Sequence, residues 1–380
     1  MLVSNRESEF SKVLNTGDVL VVAFGAMIGW GWVVSSGQWI TSGGVLGTVL
    51  GFIIGGIMIY FVGLCYAELT TAMPKCGGEH VFSYKAFGSI GAYICTWSII
   101  LSYIGVVCYE AVSFPTILQY VFPKIARGYL YSVGGFDIYF TWLLIAIGMA
   151  LLILFLNIIG MKKAARFQKI LTCVIAAVGI ALVAGAAYSG NVNNLQNQLL
   201  VGDTNGEIIQ NIAKVAIMTP FFLFGFDVIP QAAEEINVPL KKLGKMMILS
   251  IIMAVSFYVL VVLAVGYVMN AEQIKTSMLS ATGLVTADAM GVAFNNANMA
   301  KVLIIGGLCG IVTSWNSFLI GGSRALYSMS VSYMLPRKFA VLHKKYNTPV
   351  NSLLLIGALS VISPFFGRSM LVWIVDAGNF

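Results

Sequence analysis

No charged residue occurs between Val19 and Ala67, and this feature constrains the fold more than any other. Further charge-free runs lie at 86–109, 138–161, 170–202, 246–271, 302–323 and 346–367. A helix needs about 20 apolar residues to cross the hydrocarbon core of a bilayer. The strands of a membrane β-barrel need only about 10 residues and alternate in polarity, so these run lengths exclude a barrel. The chain is therefore predicted to be an all-α polytopic membrane protein.

We predict ten spans from these runs. They lie at roughly 17–40, 45–67, 90–115, 138–159, 168–189, 211–232, 245–268, 299–322, 349–366 and 370 onward. The first two spans share the longest run and are predicted to turn between Thr41 and Gly44. The tenth span meets the last residue, Phe380, after about half of the length that a crossing needs. The sequence is therefore predicted to be truncated within helix 10.

Composition and charge support a membrane protein and set its orientation. Hydrophobic residues make up 59% of the chain and charged residues 10%, whereas charged residues make up about 25% of a typical soluble domain. With the N-terminus in the cytoplasm, most of the 22 Lys and Arg residues fall on the cytoplasmic side, as the positive-inside rule requires. The net charge of +7 then needs no nucleic-acid partner. We expect a multi-pass protein of the cell membrane, surrounded by the lipid bilayer.

Two spans carry the information about function. The first contains three glycines between Gly25 and Gly31, and the sixth contains two prolines and a glycine between Thr219 and Pro230. Proline removes a backbone donor, and glycine lowers the energy of non-helical angles. Unwound backbone at membrane depth is tolerated only beside protein, water or a bound solute. Both segments are therefore predicted to break their helices.

The two breaks occupy corresponding positions in two five-helix halves, which is typical of inverted-repeat transporters with a binding site at the bilayer midplane. Small residues also mark helix packing, but packing does not predict breaks at matching positions. The predicted organisation is a cytoplasmic N-terminus at 1–16, a first repeat at 17–189, an extracellular loop at 190–210 and an incomplete second repeat at 211–380.

Four segments carry a resemblance to a known family. They are Gly25–Gly31, Ala67-Glu68-Leu69 with Met73–His80, Phe224–Asp227 with Glu234–Pro239, and Ser323–Tyr327 with Leu335-Pro336 and Thr348–Val350. In these motifs and their order the chain resembles the amino acid–polyamine–organocation (APC) superfamily of permeases. The resemblance implies a LeuT-type 5+5 inverted repeat with discontinuous helices 1 and 6. Members usually have twelve helices, so by this measure the end of span ten and spans eleven and twelve are missing.

The resemblance implies a substrate site at the two breaks. Exposed amides of Ala26, Met27, Ile28 and Gly29, before a half-helix that starts near Trp30 and Gly31, are expected to hold a substrate carboxylate. Free carbonyls of Phe222, Phe224 and Gly225 are expected to accept hydrogen bonds from an α-ammonium group. The predicted pocket walls are aromatic side chains: Trp30, Tyr103, Phe226, Trp315 and Phe318.

A second group of side chains is predicted to couple or gate transport. Asp227 and Glu110 lie at apparent membrane depth, where an unpaired carboxylate is expensive unless it carries a proton, although Glu110 near the outer surface is an alternative. Glu234 and Glu235 are expected at the cytoplasmic exit, facing the basic segment 241–245, where they form either a gate or a solvated face. The hydroxyls of Thr313, Ser314 and Ser317 are candidate sodium ligands; the alternative is that they bond their own backbone.

A lysine in the fifth span occupies a sodium position in several proton-coupled relatives, and alignment places Ile175 there. Proton coupling, sodium coupling and exchange therefore all stay open, with a proton on Asp227 favoured over sodium.

The combined interpretation is a secondary transporter that moves an amino acid by alternating access. The alternatives are a permease for polyamines or other organic cations, and a transporter-like solute sensor or channel. The sequence contains no phosphate-binding loop, no nucleophile motif and no cluster of metal ligands, so no enzyme activity, cofactor or metal is expected. The expected partner is a small-molecule amino acid or amine. The oligomeric state is left open.

Overall fold

The computed structural model describes residues 10–280 and 282–368, which are mostly helical. Its α-helices are α1 Thr16–Met27, α2 Gly31–Val34, α3 Ser36–Ala72, α4 Glu79–Val121, α5 Phe140–Ile158, α6 Met161–Ser189, α7 Asn205–Phe222, α8 Val228–Gln231, α9 Leu240–Val268, α10 Ala271–Met278, α11 Val285–Ala293, α12 Ala297–Val331 and α13 Val350–Ile362. Short 3₁₀ helices lie at Pro123–Ile125, Val192–Leu195, Ala233–Glu235, Arg337–Ala340 and Ser363–Phe366. The strands β1 Tyr129–Val133 and β2 Phe136–Tyr139 form an antiparallel hairpin between α4 and α5.

Within the described residues, 6 helices are long and apolar enough to cross a membrane: α3, α4, α5, α6, α9 and α12. This confirms an integral membrane protein with several crossings. The number is below the predicted ten partly because the first and sixth predicted spans are each split into shorter helices. The predicted tenth span, from 370 onward, lies outside the described residues.

Local sequence signals explain where the helices start and turn. Asn15 caps α1: its side-chain oxygen accepts from the N–H groups of Gly17 and Asp18, at 2.9 and 3.1 Å. Thr204 caps α7 in the same way through the Glu207 N–H, at 3.2 Å. Side-chain caps of this kind satisfy amides that a helix leaves unpaired at its start. The predicted turn after Thr41 occurs at Gly44, whose φ of 77° is open to glycine and strained for other residues.

α12 is the centre of the fold. In the apolar 18-residue stretch of α12, 89% of the residues are buried. The corresponding stretches of the other long apolar helices are 28–44% buried. α12 packs against α4, α6, α11 and α1, while α3 packs against α7 and α9. The interrupted α1 contacts α9, α12 and α6. The interrupted α1 therefore lies among continuous helices, whereas α7 packs mainly on α3.

The chain before α1 is tied to the chain after α8. The N–H groups of Val13 and Leu14 donate to the Glu235 carbonyl at 2.8 and 3.0 Å, and the Asn237 N–H donates to the Leu14 carbonyl at 2.8 Å. Leu14 and Ile236 thereby form a parallel bridge. This bridge holds the start of α1 and the chain after α8 together at one end of the molecule.

Candidate functional site

The first predicted span is interrupted between Met27, where α1 ends, and Gly31, where α2 begins. The prediction that the amides of Ala26, Met27 and Ile28 are exposed is wrong. Ala26 and Met27 lie in the last turn of α1, and the Ile28 N–H donates to the Phe24 carbonyl at 3.0 Å. These amides complete α1, because a helix pairs its backbone donors up to its C-terminal end.

The free donors lie slightly further along the chain. The N–H groups of Gly29 and Trp30 have no acceptor in the described part of the chain. α2 has only 4 residues, so an anion at this point would be held mainly by direct hydrogen bonds and not by a long helix dipole. The Met27 carbonyl is occupied, because it accepts from the Tyr258 hydroxyl at 3.0 Å.

The sixth predicted span is interrupted between Phe222, where α7 ends, and Val228, where α8 begins. The Asp227 carboxylate holds this open backbone: it accepts from the Gly225 N–H at 2.9 Å and from the Tyr103 hydroxyl. Asp227 is buried, and these donors satisfy both of its oxygens. Asp227 therefore fixes the shape of the break.

One predicted acceptor in this break is wrong. The Gly225 carbonyl accepts from the Val228 N–H at 3.2 Å, so it is not free. The carbonyls of Phe222 and Phe224 have no donor among the described residues. This break therefore includes free acceptors, and the first break includes free donors.

The two breaks touch each other. Gly225 has a φ of 131°, and a β-carbon on it would lie 2.8 Å from the Ala26 Cβ and 2.9 Å from the Ala26 carbonyl carbon. A β-carbon on Gly31 would lie 2.6 Å from the Phe222 ring. The absence of a side chain at these positions allows the unwound segments to approach at backbone distance. The residues that flank the two breaks are thereby packed against each other.

Two of the predicted wall residues, Tyr103 and Phe318, form one aromatic cluster with Phe224. Phe224 and Phe318 stack with ring centroids 5.4 Å apart, and Tyr103 lies 5.9 Å from Phe224 and 5.4 Å from Phe318. The remaining wall residues are dispersed. Phe226 packs on Tyr66 at 5.4 Å, the Trp30 ring lies against Gly307 of α12, and Trp315 is buried in α12.

Glu110 lies beside the first break and is buried, which removes the wet-surface alternative. Its Oε1 accepts from the Ser314 hydroxyl at 2.5 Å and lies 3.7 Å from where a β-carbon on Gly29 would stand. Its Oε2 is buried and has no hydrogen-bond partner among the described residues. A buried carboxylate oxygen without a donor is expensive, so Glu110 is less well satisfied than Asp227.

The acidic pair after α8 has partners other than the predicted ones. Glu235 makes a buried, bidentate ion pair with Arg324 of α12, with Nε–Oε1 and Nη2–Oε2 distances of 2.7 and 3.2 Å. Glu234 lies 4.0 Å from Lys75. The prediction that Glu235 faces segment 241–245 is wrong, because the turn after α8 directs its side chain inward onto α12.

The hydroxyls predicted as sodium ligands are engaged within the protein. Thr313 donates to the Gly310 carbonyl of its own helix at 2.9 Å, and Ser317 donates to the Val22 carbonyl of α1 at 3.2 Å. Ser314 donates to Glu110. For Thr313 the alternative of backbone bonding is thus confirmed.

A carboxamide of α6, Gln168, contacts two of the residues predicted as sodium ligands. The Gln168 Nε2 donates to the Thr313 carbonyl at 3.0 Å and to the Ser317 hydroxyl at 2.9 Å. It also lies 2.5 Å from where a β-carbon on Gly25 of α1 would stand. Gln168 is about two helical turns before Ile175, which is also buried, and the alignment of Ile175 with the lysine stays a prediction.

Sequence reasoning missed Gln168 and the two carboxamides attached to it. Asn316 donates to the Gln168 Oε1 at 2.8 Å, and Asn157 donates to the Asn316 Oδ1 at 2.8 Å. All three side chains are buried and lie within predicted spans. Polar residues at this depth are expensive unless they are paired, so three carboxamides in spans were the available signal. No group of three or more His, Cys, Asp or Glu that could hold a metal ion lies within the described residues.

Comparison with known proteins places this site in a family. The amino acid permease family model matches residues 18–371. The chain is 25% identical over 367 residues to the branched-chain amino acid permease BcaP of Bacillus subtilis (strain 168), covering 94% of this chain and 75% of that permease. It is 23% identical over 384 residues to the methylthioribose transporter of the same organism, covering 99% and 79% of the two chains.

A plant relative shows a similar match. The chain is 25% identical over 369 residues to the vacuolar cationic amino acid transporter 8 of Arabidopsis thaliana, covering 96% of this chain and 60% of that transporter. The family match extends over nearly all of the described residues and includes both broken spans. This chain therefore belongs to the amino acid permease family.

Proposed function

We propose that this protein is a secondary transporter that moves an amino acid across the cell membrane by alternating access. In this proposal the N-terminus is cytoplasmic, and the two broken spans belong to inverted five-helix repeats of the LeuT type. Family membership supports an amino acid substrate and a membrane environment. The matched breaks support a binding site between the two repeats.

The observation that carries the proposal is that the two touching breaks leave backbone donors and acceptors free. An amino acid presents a carboxylate, which accepts hydrogen bonds, and an ammonium group, which donates them. The free N–H groups of Gly29 and Trp30 suit the carboxylate, and the free carbonyls of Phe222 and Phe224 suit the ammonium group. Such a site would bind the carboxylate and ammonium groups that all amino acids share. The Tyr103–Phe224–Phe318 cluster then selects among side chains.

The named relatives supply the first substrates to test. One is a branched-chain amino acid permease, and another is a cationic amino acid transporter. Leucine and arginine are therefore the first probes for this chain. An aromatic wall favours leucine by apolar contact and holds a guanidinium by stacking on a ring face.

We propose that the chain after α8 gates one end of the site. The Glu235 carboxylate pairs with Arg324, while the Glu235 carbonyl accepts from the segment before α1. These bonds join both broken spans to α12 at the end that charge distribution predicts to be cytoplasmic. Their presence supports a conformation that is closed on that side.

Coupling to a proton is proposed through Glu110 in preference to Asp227. Asp227 has donors on both of its oxygens, whereas the Oε2 of Glu110 has no partner among the described residues. A proton on Glu110 removes the expense of an ionised oxygen without a donor. Exchange of substrates without a net ion movement is the alternative for this step.

A permease for polyamines or other amines is the second candidate function. The observation that favours it is the position of Glu110, which lies close to Gly29, where the carboxylate of an amino acid is proposed to bind. An ionised Glu110 would repel a carboxylate and attract an ammonium group.

Chemical analogues of the substrate separate the two candidates. The full-length protein in detergent is screened by thermal shift with leucine, arginine, their methyl esters, their N-acetyl derivatives and the corresponding decarboxylated amines. We expect each modification to weaken binding by roughly tenfold to a hundredfold, because each removes charge-assisted hydrogen bonds. Amines that bind as well as the parent amino acids would refute the carboxylate site and favour the amine permease.

A further inference from the structure

Two buried oxygens without hydrogen-bond donors lie on side chains that are already bonded to each other. Glu79, the first residue of α4, and Gln231, the last residue of α8, are both buried. The Gln231 Nε2 donates to the Glu79 Oε2. The Glu79 Oε1 and the Gln231 Oε1 have no hydrogen-bond partner among the described residues. A buried oxygen without a donor is expensive, so this pair needs a further group.

One proton would satisfy both oxygens. A carboxyl group and a carboxamide that lie side by side can exchange two hydrogen bonds: the amide N–H donates to one carboxyl oxygen, and the carboxyl O–H donates to the amide oxygen. The first of these bonds is present between Gln231 and Glu79. A proton on the Glu79 Oε1 would supply the second and would donate to the Gln231 Oε1. An ionised Glu79 has no hydrogen to donate, so it would leave both oxygens unpaired.

The cations of this region are paired with other acids. Arg324 of α12 is paired with Glu235 at 2.7 Å, and Lys75 lies 4.0 Å from Glu234. Glu79 has no ion-pair partner within residues 10–280 and 282–368. An ionised carboxylate at this position would therefore be buried without a counter-charge, which is expensive.

The titratable groups that face Glu79 from the surrounding helices also disfavour a charge on it. They are Tyr66 of α3, Cys95 and Tyr103 of α4, and Asp227 before α8. The Asp227 carboxylate would repel a second negative charge. His80, the next residue along the chain, directs its ring nitrogens to Thr96 and Ser332 instead. Burial and a like charge both favour the neutral form of a carboxyl group.

The pair lies where the turn at 76–78, before α4, contacts the end of α8. The Gly77 N–H donates to the Gln231 carbonyl at 3.1 Å. A β-carbon on Gly78 would lie 2.7 Å from the Pro230 Cβ, so the turn and α8 approach at backbone distance. α8 is the segment that follows the break in the sixth predicted span. A hydrogen bond between Glu79 and Gln231 therefore fixes one end of a broken span.

We propose that Glu79 and Gln231 form a proton-binding site, in which one proton closes a carboxyl–carboxamide pair and holds α8 to the turn before α4. The site is distinct from Glu110, which lies beside the first break near Gly29. Loss of the proton to the solvent breaks the bond from Glu79 to Gln231 and leaves a buried negative charge, so it loosens α8. This inference goes beyond the proposed function and holds whichever solute the protein carries.

Infrared spectroscopy of the full-length protein in detergent at neutral pH tests the proton directly, because protonated carboxyl groups and carboxylates absorb in separate regions. Glu79→Gln keeps the shape of the side chain and both hydrogen bonds, since a second carboxamide can pair with Gln231 in the same way. We expect this variant to lose protonated-carboxyl absorption relative to wild type. Glu68→Gln, on the exposed side of α3, is the matched control and is expected to lose carboxylate absorption, because an exposed glutamate titrates at about pH 4.3.

Two results would overturn the proposal. If Glu79→Gln loses carboxylate absorption as the control does, Glu79 is ionised in the folded protein. If the Tm of wild type rises in sodium chloride relative to choline chloride, and this rise is absent in Glu79→Gln, the two oxygens bind a metal cation and not a proton.

The dependence of Tm on pH gives a second measurement. The folded protein holds a proton that the unfolded chain loses above about pH 4.3, so the Tm of wild type is expected to fall as the pH rises. The Tm of Glu79→Gln is expected to fall less, because it has no proton to lose at this site. An equal dependence on pH in the two proteins would contradict the proposal.

A pair of variants tests the bond between the two side chains. Gln231→Met leaves the Glu79 carboxyl buried without its partner, so its Tm is expected to lie several degrees below that of wild type. Glu79→Met/Gln231→Met is expected to recover most of this loss, because replacing both partners by apolar groups of similar shape is nearly neutral. A Tm of Gln231→Met equal to that of wild type would contradict the pair. Failure of leucine and arginine to be transported would refute the proposed substrates and leave these results standing.

Discussion

Replacing Arg324 by methionine is expected to lower the free energy of unfolding by about 3–5 kcal/mol, the usual loss when one partner of a buried ion pair is removed. Arg324 is fully buried, and its guanidinium is paired with the Glu235 carboxylate at 2.7 Å. Methionine fills the volume of the aliphatic stem but leaves the carboxylate without its cation. We therefore expect a large fall in the Tm of the purified protein.

The double variant Arg324→Met/Glu235→Gln distinguishes the lost ion pair from lost packing. It removes both charges, and we expect it to recover most of the stability, because well-packed neutral replacements of buried pairs are often neutral. Arg166→Met, an exposed arginine on α6, is the matched control and is expected to stay within about 0.5 kcal/mol of wild type. A double variant that is no more stable than Arg324→Met would show that the charge on Glu235 is not the cause.

Replacing Gly225 by alanine is expected to reduce the rate of uptake by about a hundredfold, as a displacement near 1 Å does in a preorganised site. The backbone at Gly225 has a φ of 131°, which costs a non-glycine residue roughly 1–3 kcal/mol. The new methyl group would also overlap Ala26 across the contact between the two breaks. The measurement is initial uptake of labelled leucine or arginine, normalised to the amount of inserted protein.

Gly148→Ala is the control for this substitution. Gly148 lies on the exposed face of α5, and a β-carbon there has no neighbour within 4 Å. Both variants add one methyl group to a membrane helix region, so a general effect of the change on insertion appears in both. Normal uptake by Gly225→Ala would mean that the close contact between the breaks is not needed for transport.

The helical class and the positions of the breaks were predictable from the sequence, because both depend on local chemistry. Charge-free runs follow from the absence of water in a bilayer, and the glycines and prolines near Gly29 and Gly225 favour non-helical angles. The predicted tenth span and the predicted truncation lie outside the described residues. The inverted symmetry of the two halves stays a prediction.

The exact groups of the site depended on tertiary contacts and were not predictable to a single residue. The Ile28 amide completes α1, and the Gly225 carbonyl accepts from the Val228 N–H. The free backbone groups therefore belong to residues near these two. The contacts of Gln168 with Thr313 and Ser317 join α6 to α12, and they depend on packing between segments that are distant in the sequence.

Counterflow in proteoliposomes tests the central claim most directly. Vesicles containing the full-length protein are loaded with unlabelled leucine or arginine, and a trace of the same labelled amino acid is added outside. A carrier with one alternating site is predicted to accumulate label transiently and saturably above the level in unloaded vesicles. A linear flux that does not saturate and ignores the internal load would contradict alternating access and indicate a channel.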